Sequence, residues 1–327
     1  MLEEFRLQVF EALLAGRIHS CCGEIRSCEQ ACRITDLTDR FDMSQSTWGE
    51  TEVKEMSESV REQMLVAKDG QEVFVRHWPS AGPTAIVAAH GNGSHSGAYG
   101  LMASHLTGSD VYAFDLRGYG ASPVRPAEVS DWQGWADDMA VVAEAAAEEG
   151  KQVFLLGHSL GSLVALAAAP RVARLAGVIL ISPSPSSLAM TPEWIGGVMG
   201  VLQTQGLAAE VRLPWGPEEL VRSAEARTAI ASDPLALRPV TTGMLVQIIG
   251  LVEAAQEAGT TTTAPALLLL PGEDLLVARS EALRMFDWLA SDDKQRVEFP
   301  SCYHDLPQDA PQQVASAIAG WLNHLAL

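Results

Sequence analysis

A serine flanked by glycines stands where a predicted buried strand meets a predicted helix. The pentapeptide GHSLG at 157–161 follows the apolar residues 153–156 and precedes the apolar residues 163–167. Because the positions two before and two after Ser159 lack bulk, the chain can turn sharply there and lift the hydroxyl off the backbone. Backbone N–H groups at a helix N-terminus also favour developing negative charge. Ser159 is therefore predicted to be a nucleophile rather than an ordinary turn serine.

A serine hydroxyl is a weak nucleophile that needs a base, and the base needs an acid to orient it. Beyond Ser159 the sequence holds two histidines, His304 and His324. His324 lies in an amphipathic C-terminal stretch and is predicted to be a solvated residue at a helix end. His304 follows the strand-like residues 295–299, so it falls on a loop at the C-terminal end of that strand. We predict that His304 is the general base.

The acid is predicted by the same reasoning. Residues 266–270 are fully apolar and have the length of a buried parallel strand, and the turn-like PGED follows them. Asp274 is the predicted acid, and the adjacent Glu273 is the alternative. Asp274 could instead be a turn residue that accepts hydrogen bonds from backbone N–H groups. The order serine, aspartate, histidine along the chain is that of the α/β-hydrolases.

A fourth element would stabilise negative charge on the substrate. The apolar strand at 84–89 is followed by HGNG, whose glycines let backbone N–H groups approach a substrate oxygen closely. We predict that the backbone amides of Asn92 and Leu160 are the donors. His90 and His95 are predicted to brace this loop through hydrogen bonds. The alternative, a dinucleotide-binding loop, is disfavoured because the spacing G-x-G-x-x-x-G departs from the fingerprint.

Five residues are predicted to lie beside the substrate. Gly91 and Gly93 belong to the loop just described, and His158 adjoins the nucleophile, where its side chain would point away from the hydroxyl and serve packing. Met199 and Leu202 lie on an apolar face with small residues that could form an acyl-chain channel. Alternatively, that face could pack against other residues of the same segment, 184–263.

Several segments resemble the monoacylglycerol lipase-like branch of the α/β-hydrolases. The resemblance covers roughly residues 63–325 and rests on HGNGSHSGAY at 90–99, DLRGYGAS at 115–122, the GHSLG pentapeptide, 271–277 and YH at 303–304. It implies an eight-stranded, mostly parallel sheet with helices on both faces, a helical cap, and hydrolysis of carboxylic esters, often of fatty acids. Family members often carry Glu at the position of Ser94 and Arg at that of Ala98. Ser162 stands where a third glycine is frequent.

The residues and the resemblance together predict a cofactor-free and metal-free serine ester hydrolase acting on a small-molecule acyl ester. Ser159 would attack the acyl carbon, His304 would transfer the proton, and Asp274 would hold the imidazole. A peptidase, amidase or thioesterase could use the same three residues. A non-catalytic ligand-binding protein on a hydrolase scaffold is disfavoured because all three residues and the oxyanion loop are present.

Charge and hydropathy exclude other classes. The chain has 22 basic and 41 acidic side chains, a net charge of −19, which argues against nucleic acid as a partner. An acidic surface is repelled by anionic lipid, so any lipid substrate must be reached through apolar contact. No segment approaches the roughly 18 apolar residues of a spanning helix. With acidic residues at the start in place of a signal peptide, we expect a cytoplasmic protein whose membrane contact is transient, through a cap or an N-terminal helix.

The alternation of strands and helices predicts three parts. Residues 1–62 form an extension, partly helical or poorly ordered; 63–183 and 264–327 form the catalytic α/β domain; and 184–263, where the strand rhythm stops, form a helical cap. The extension could dock on the body, dimerise or contact a membrane, and Met43 is an alternative start. It also carries four cysteines without zinc-site spacing, expected as reduced thiols: Cys21, Cys22, Cys28 and Cys32. The sequence leaves the oligomeric state open.

Overall fold

The computed structural model describes residues 60–325. The predicted N-terminal helix and the four clustered cysteines lie outside the described residues. The predicted limits of the three parts of the chain stay predictions.

Ten strands occur in the described chain, and eight of them form one sheet. They are β1 Arg61–Val66, β2 Glu72–Trp78, β3 Thr84–Ala89, β4 Ser109–Phe114, β5 Gln152–His158, β6 Leu175–Ile181, β7 Glu210–Val211, β8 Val240–Thr241, β9 Ala266–Pro271 and β10 Lys294–Phe299. The large sheet has the order β1-β2-β4-β3-β5-β6-β9-β10. β2 runs antiparallel to both of its neighbours, and the other pairs are parallel. The predicted eight-stranded, mostly parallel sheet is confirmed.

The position of each strand follows from its side chains. β3 and β9 are apolar and buried along their whole length, as central parallel strands covered on both faces must be. β1 is mostly exposed and carries charged and polar residues, which suit a sheet edge. β1 and β2 form a hairpin, and Gly70 takes a φ of 85° in its turn.

Ten α-helices accompany these strands in the described chain. They are α1 Gly100–Ser104, α2 Gln133–Glu148, α3 Leu160–Ala168, α4 Pro192–Gln205, α5 Pro217–Leu220, α6 Ala224–Ser232, α7 Thr242–Gly259, α8 Arg279–Asp287, α9 Leu306–Asp309 and α10 Pro311–His324. One buried cluster packs α2, α3, α7 and α8 on one face of the sheet, and a second packs α1 and α10 on the other. Helices therefore cover both faces, as predicted.

Residues 184–263, all of them described, stand between β6 and β9. They contain α4 to α7 and a small antiparallel pair, β7 with β8. The pair was not predicted, because two residues per strand are too few to show a periodicity. α7 packs along α3, the helix that follows Ser159. In the span from residue 60 to 325, no helix is long and apolar enough to cross a membrane.

Candidate active site

Ser159 occupies the sharp turn between β5 and α3. Its φ of 53° and ψ of −117° are rare for a residue with a side chain, and its N–H donates to the carbonyl of Ile181 at 2.9 Å. A Cβ at Gly161 would lie 1.9 Å from the carbonyl oxygen of Ala89, and one at Gly157 would lie 2.2 Å from that of Gly161. The two glycines are therefore required because strand, turn and helix backbones touch here.

His304 and Asp274 form a hydrogen-bonded pair at the same edge of the sheet. Nδ1 of His304 lies 2.9 Å from Oδ2 and 3.1 Å from Oδ1 of Asp274. Oδ1 also accepts the backbone N–H groups of Leu276 at 2.8 Å and Val277 at 2.9 Å. The turn interpretation and the acid interpretation of Asp274 thus both describe this carboxylate. Nε2 is the nitrogen of His304 that remains for the substrate side.

Asp274 and His304 each stabilise the charged form of the other. Burial alone would raise the pKa of Asp274, but the charge and hydrogen bond of His304 and the two backbone donors outweigh it and lower that pKa. Burial alone would lower the pKa of His304, but Asp274 raises it above 6.5. Glu273 takes no part: it is half-exposed and accepts Nη1 of Arg222 at 2.9 Å. Asp274, not Glu273, faces the imidazole.

The loop that carries His304 is held through its own backbone. Oγ of Ser182 donates to the carbonyl of His304 at 2.6 Å, and Nε2 of His158 lies 3.3 Å from the same oxygen. The rings of His158 and His304 pack with centroids 5.3 Å apart, and burial lowers the pKa of His158. His158 thus packs against His304 and also borders the cavity on which Ser159 lies. Ser182, with a φ of 45°, was not predicted, although it stands just beyond the end of β6.

The loop after β3 is braced by a neutral histidine. Nε2 of His90 accepts the N–H of Leu116 at 3.0 Å, so Nδ1 carries the proton and donates to the carbonyl of Gly91 at 2.8 Å. Burial lowers the pKa of His90 to about 4, so its ring stays uncharged near neutral pH. A Cβ at Gly91 would lie 3.2 Å from Cβ of Ser159, which places this loop directly against the turn.

The two predicted oxyanion donors border one cavity. Oδ1 of Asn92 accepts a hydrogen bond from the hydroxyl of Tyr119 at 2.8 Å, which holds the Asn92 side chain in place. Leu160 is the first residue of α3, so its N–H has no acceptor within the helix. Gly93 has a φ of 80°, and a Cβ there would lie 2.8 Å from Cδ1 of Leu213. Asn92, Leu160 and Gly93 all line the cavity that Ser159 borders.

That cavity has a volume of about 1210 Å³ and brings most of the candidate residues together. Ser159 is 9% exposed and His304 3% exposed, and both lie on its wall. Asp274 reaches the site through its contact with His304. An apolar part of the wall comes from residues 184–263, the insertion between β6 and β9: Trp215, Leu220, Ile230, Leu235, Ala236, Leu237 and Ile248.

Met199 and Leu202 are placed elsewhere. They are 4% and 1% exposed and belong to the packed core rather than to the cavity wall. Their face of α4 turns towards the interior, where packing with α7 buries it. An apolar helix face has the same sequence pattern whether it meets a core or a substrate, so the acyl-channel prediction could not separate the two. Ile230 of α6, Ile248 of α7 and the segment around Leu237 line the cavity instead.

Other reactive groups near the site have ordinary surroundings. Cys302 is half-buried, and burial raises the pKa of its thiol, which keeps it protonated. Across residues 60–325, no group of three or more His, Cys, Asp or Glu side chains is arranged to hold a metal ion.

The chain is similar in sequence and in fold to known proteins. The model of the family described as serine aminopeptidase, S33 matches residues 83–311. Human monoglyceride lipase is 32% identical over 261 residues, which cover 76% of this chain and 84% of that protein. The chain belongs to this family of α/β-hydrolases. It is a monoacylglycerol lipase-like carboxylic ester hydrolase.

Further relatives agree with this assignment. Phospholipase YtpA of Bacillus subtilis is 25% identical over 70% of this chain and 91% of its own length. The crystal structure of Paleococcus ferrophilus monoacylglycerol lipase aligns with a TM-score of 0.66 at 26% identity, covering 78% of this chain and 99% of that one. A soluble variant of monoglyceride lipase from Saccharomyces cerevisiae aligns with a TM-score of 0.69 at 17% identity, covering 80% and 94%, and shows the shared fold.

Proposed function

We propose that the protein hydrolyses fatty-acyl esters of small alcohols, acylglycerols among them, through an acyl-enzyme formed on Ser159. One observation carries the proposal. Asp274 holds Nδ1 of His304 at 2.9 Å, and His304 shares with Ser159 the wall of one large, partly apolar cavity. The relatives named monoglyceride lipase and phospholipase support a fatty-acyl ester as the substrate class.

In the proposed reaction, Oγ of Ser159 attacks the carbonyl carbon while Nε2 of His304 takes the hydroxyl proton. Asp274 keeps the remaining proton on Nδ1 and stabilises the imidazolium. The oxygen of the tetrahedral intermediate accepts the N–H groups of Asn92 and Leu160, each worth about 2.7–4 kcal/mol by analogy with other such donors. The intermediate then collapses, and the alcohol leaves with the proton from Nε2.

Water completes the cycle by the same steps. It attacks the acyl carbon and gives a proton to Nε2 of His304, and the acid is released as Ser159 regains its proton. Asp274 raises the pKa of His304 above its ordinary value, which makes the imidazole a stronger base for this exchange.

The cavity supports a long acyl chain. Its volume of about 1210 Å³ exceeds the roughly 300–1,000 Å³ of common ligand pockets. The apolar wall of the insertion, including Trp215, Ile230 and Ile248, would bury the chain. Ser94 and Ala98 stand where family members often carry charged residues. We therefore expect the alcohol part of this protein's substrate to differ from that of the family's substrates.

Contact with lipid is proposed to be transient. Leu188 and Leu275 are half-exposed, and each is a neighbour in sequence of a residue on the cavity wall, Ser187 and Leu276. The N–H of Leu188 donates to the carbonyl of Leu276 at 2.7 Å, so the two leucines lie on one rim. A cytoplasmic location stays a prediction that cell fractionation tests.

The experiment uses purified full-length protein and a series of p-nitrophenyl esters from acetyl to palmitoyl, followed by monoacylglycerols. Activity should rise with chain length. Ser159→Ala should lower turnover by about four orders of magnitude or more, as other triad substitutions do. Ser316→Ala, on an exposed serine of α10, is the matched control and should equal the unmodified protein. Retention of about a tenth of the activity by the Ser159 variant would contradict the proposal.

A peptidase or amidase activity is the second candidate, favoured by the description of the matching family as a serine aminopeptidase. Ester, thioester and amide derivatives of one acyl group separate the candidates by kcat/KM. The proposal expects the ester to be preferred. A fluorophosphonate probe should label Ser159; absence of label on folded protein would indicate a ligand-binding protein without catalysis.

A further inference from the structure

Two hydrogen bonds join the oxyanion loop to the segment that follows α6. The N–H of Leu237 donates to the carbonyl of Gly93 at 2.7 Å. Nε2 of His95 lies 2.8 Å from Oδ2 of Asp233. Nδ1 of His95 accepts the N–H of Gly97 at 3.1 Å, so the proton of a neutral ring is on Nε2 and the ring donates to the carboxylate.

The insertion holds both of its contacting residues, Asp233 and Leu237, in position. Asp233 ends α6, and its Oδ1 accepts the N–H of Leu235 at 2.7 Å, which fixes the direction of the carboxylate. Leu237 has a φ of 51°, a conformation that leucine rarely adopts. Strained residues of this kind persist only where their surroundings over-determine them. Leu237 holds this conformation while its N–H donates to the carbonyl of Gly93.

The loop lies directly against the insertion. Gly93 has a φ of 80°, and a Cβ there would lie 2.8 Å from Leu213 and 3.4 Å from Cδ2 of Leu237. Its carbonyl stands one residue beyond the amide of Asn92, the proposed oxyanion donor. Holding that carbonyl therefore restricts the orientations open to the peptide units that aim the donor at the substrate. Asp233, Leu237 and Gly93 all border the catalytic cavity.

We propose that Asp233 and Leu237 are positioning residues that assemble the oxyanion hole, so that the loop is correctly aimed only when the segment 233–237 is docked on it. The inference rests on the proposed function and adds a role for the insertion beyond covering the substrate. Because the two hydrogen bonds act on the loop and not on the acyl chain, losing one should weaken transition-state binding more than substrate binding.

The first test is Asp233→Ala. It should lower kcat about tenfold, a fraction of the roughly 10²–10³ that loss of a whole oxyanion donor costs, and leave KM within about twofold. A trifluoromethyl ketone, whose adduct with the serine carries an oxyanion, should bind about tenfold more weakly. Asp233→Asn has one oxygen for two donors, the N–H of Leu235 and Nε2–H of His95, so it cannot keep both hydrogen bonds and should show a loss close to that of Asp233→Ala.

A second variant removes the contact between His95 and Asp233 by changing the residue on the loop. His95→Asn retains an acceptor for the N–H of Gly97 but loses the Nε2 donor, so it should reproduce the kinetic effect of Asp233→Ala. The double variant should lose no more than the worse single variant, because both remove one contact. Glu225→Gln, an exposed acid on the same helix α6, is the matched control and should behave like the unmodified protein.

Each outcome has a defined meaning. Unchanged kcat and ketone affinity in folded Asp233→Ala and His95→Asn would overturn the inference, as would a loss confined to KM. Additive losses in the double variant would also overturn it. The proposed function fails separately, through an active Ser159→Ala protein, so the two failures are distinguishable.

Discussion

Asp274→Asn gives a sharp test of the site because the structure dictates which way the new amide must face. Oδ1 of Asp274 accepts two backbone N–H groups, at 2.8 and 2.9 Å. An amide NH2 group cannot take that place, since three donors would meet, so the asparagine oxygen must stay there. Its NH2 group then replaces Oδ2 and points at Nδ1 of His304, 2.9 Å away in the unmodified protein.

The consequence is a reversed tautomer of His304. Nδ1 becomes the acceptor and the proton moves to Nε2, so the ring can no longer take the proton of Ser159. In the serine protease for which this substitution is the standard case, it lowers kcat by about 10⁴. We expect a loss of the same order here, about 5.4 kcal/mol in activation free energy.

The assay is steady-state hydrolysis of a p-nitrophenyl ester near neutral pH, with kcat and KM determined separately. The substitution removes a proton acceptor without changing shape, so KM and the melting temperature should change little. Glu273→Gln is the matched control, because this neighbouring carboxylate faces Arg222 and should leave kcat within about twofold. If Asp274→Asn retained about a tenth of kcat, the assigned acid and the orientation argument would both be refuted.

Three further predictions concern pH and two glycine positions. His304 must be neutral to act as a base, and Asp274 raises its pKa, so the acidic limb of the kcat/KM profile should have its midpoint above 6.5; a midpoint below that value would contradict the pair. Gly161→Ala should lower the free energy of unfolding by about 3 kcal/mol or more in urea titrations, because its Cβ would overlap Ala89. Gly320→Ala, exposed within α10 with open space around it, should instead stabilise by about 0.5–1 kcal/mol.

The sequence identified the candidate residues because each follows a strong local pattern. Ser159, Asp274 and His304 each stand just beyond an apolar or strand-like run, and the carboxyl ends of parallel strands meet at one edge of a sheet. The choice between Asp274 and Glu273 could not be made with certainty from sequence, because adjacent residues share that position. The direction of each side chain decided it: one meets His304, and the other meets Arg222.

The residues of the cavity wall could not be predicted from the spacing of apolar residues. Apolar spacing predicted a buried face at Met199 and Leu202, and the face is buried, but against the core. Trp215 and Leu237, which line the cavity, lie in irregular segments whose composition gives no periodic signal. Which apolar face meets a ligand depends on how α4 and α7 are docked on the body, and this docking is a property of packing between distant segments.

The sequence by itself determined the eight strands of the large sheet, their order along the chain and the chemical identity of the candidate groups, because strand and helix periodicities and turn residues act over a few neighbours. Only the tertiary structure decided the contacts across long separations. His95 meets Asp233, 138 residues away, and the carbonyl of Gly93 meets the N–H of Leu237. A hydrogen bond of this kind forms only when the packing of whole elements brings two distant groups together. The residues next to each group do not indicate which distant group it will bond.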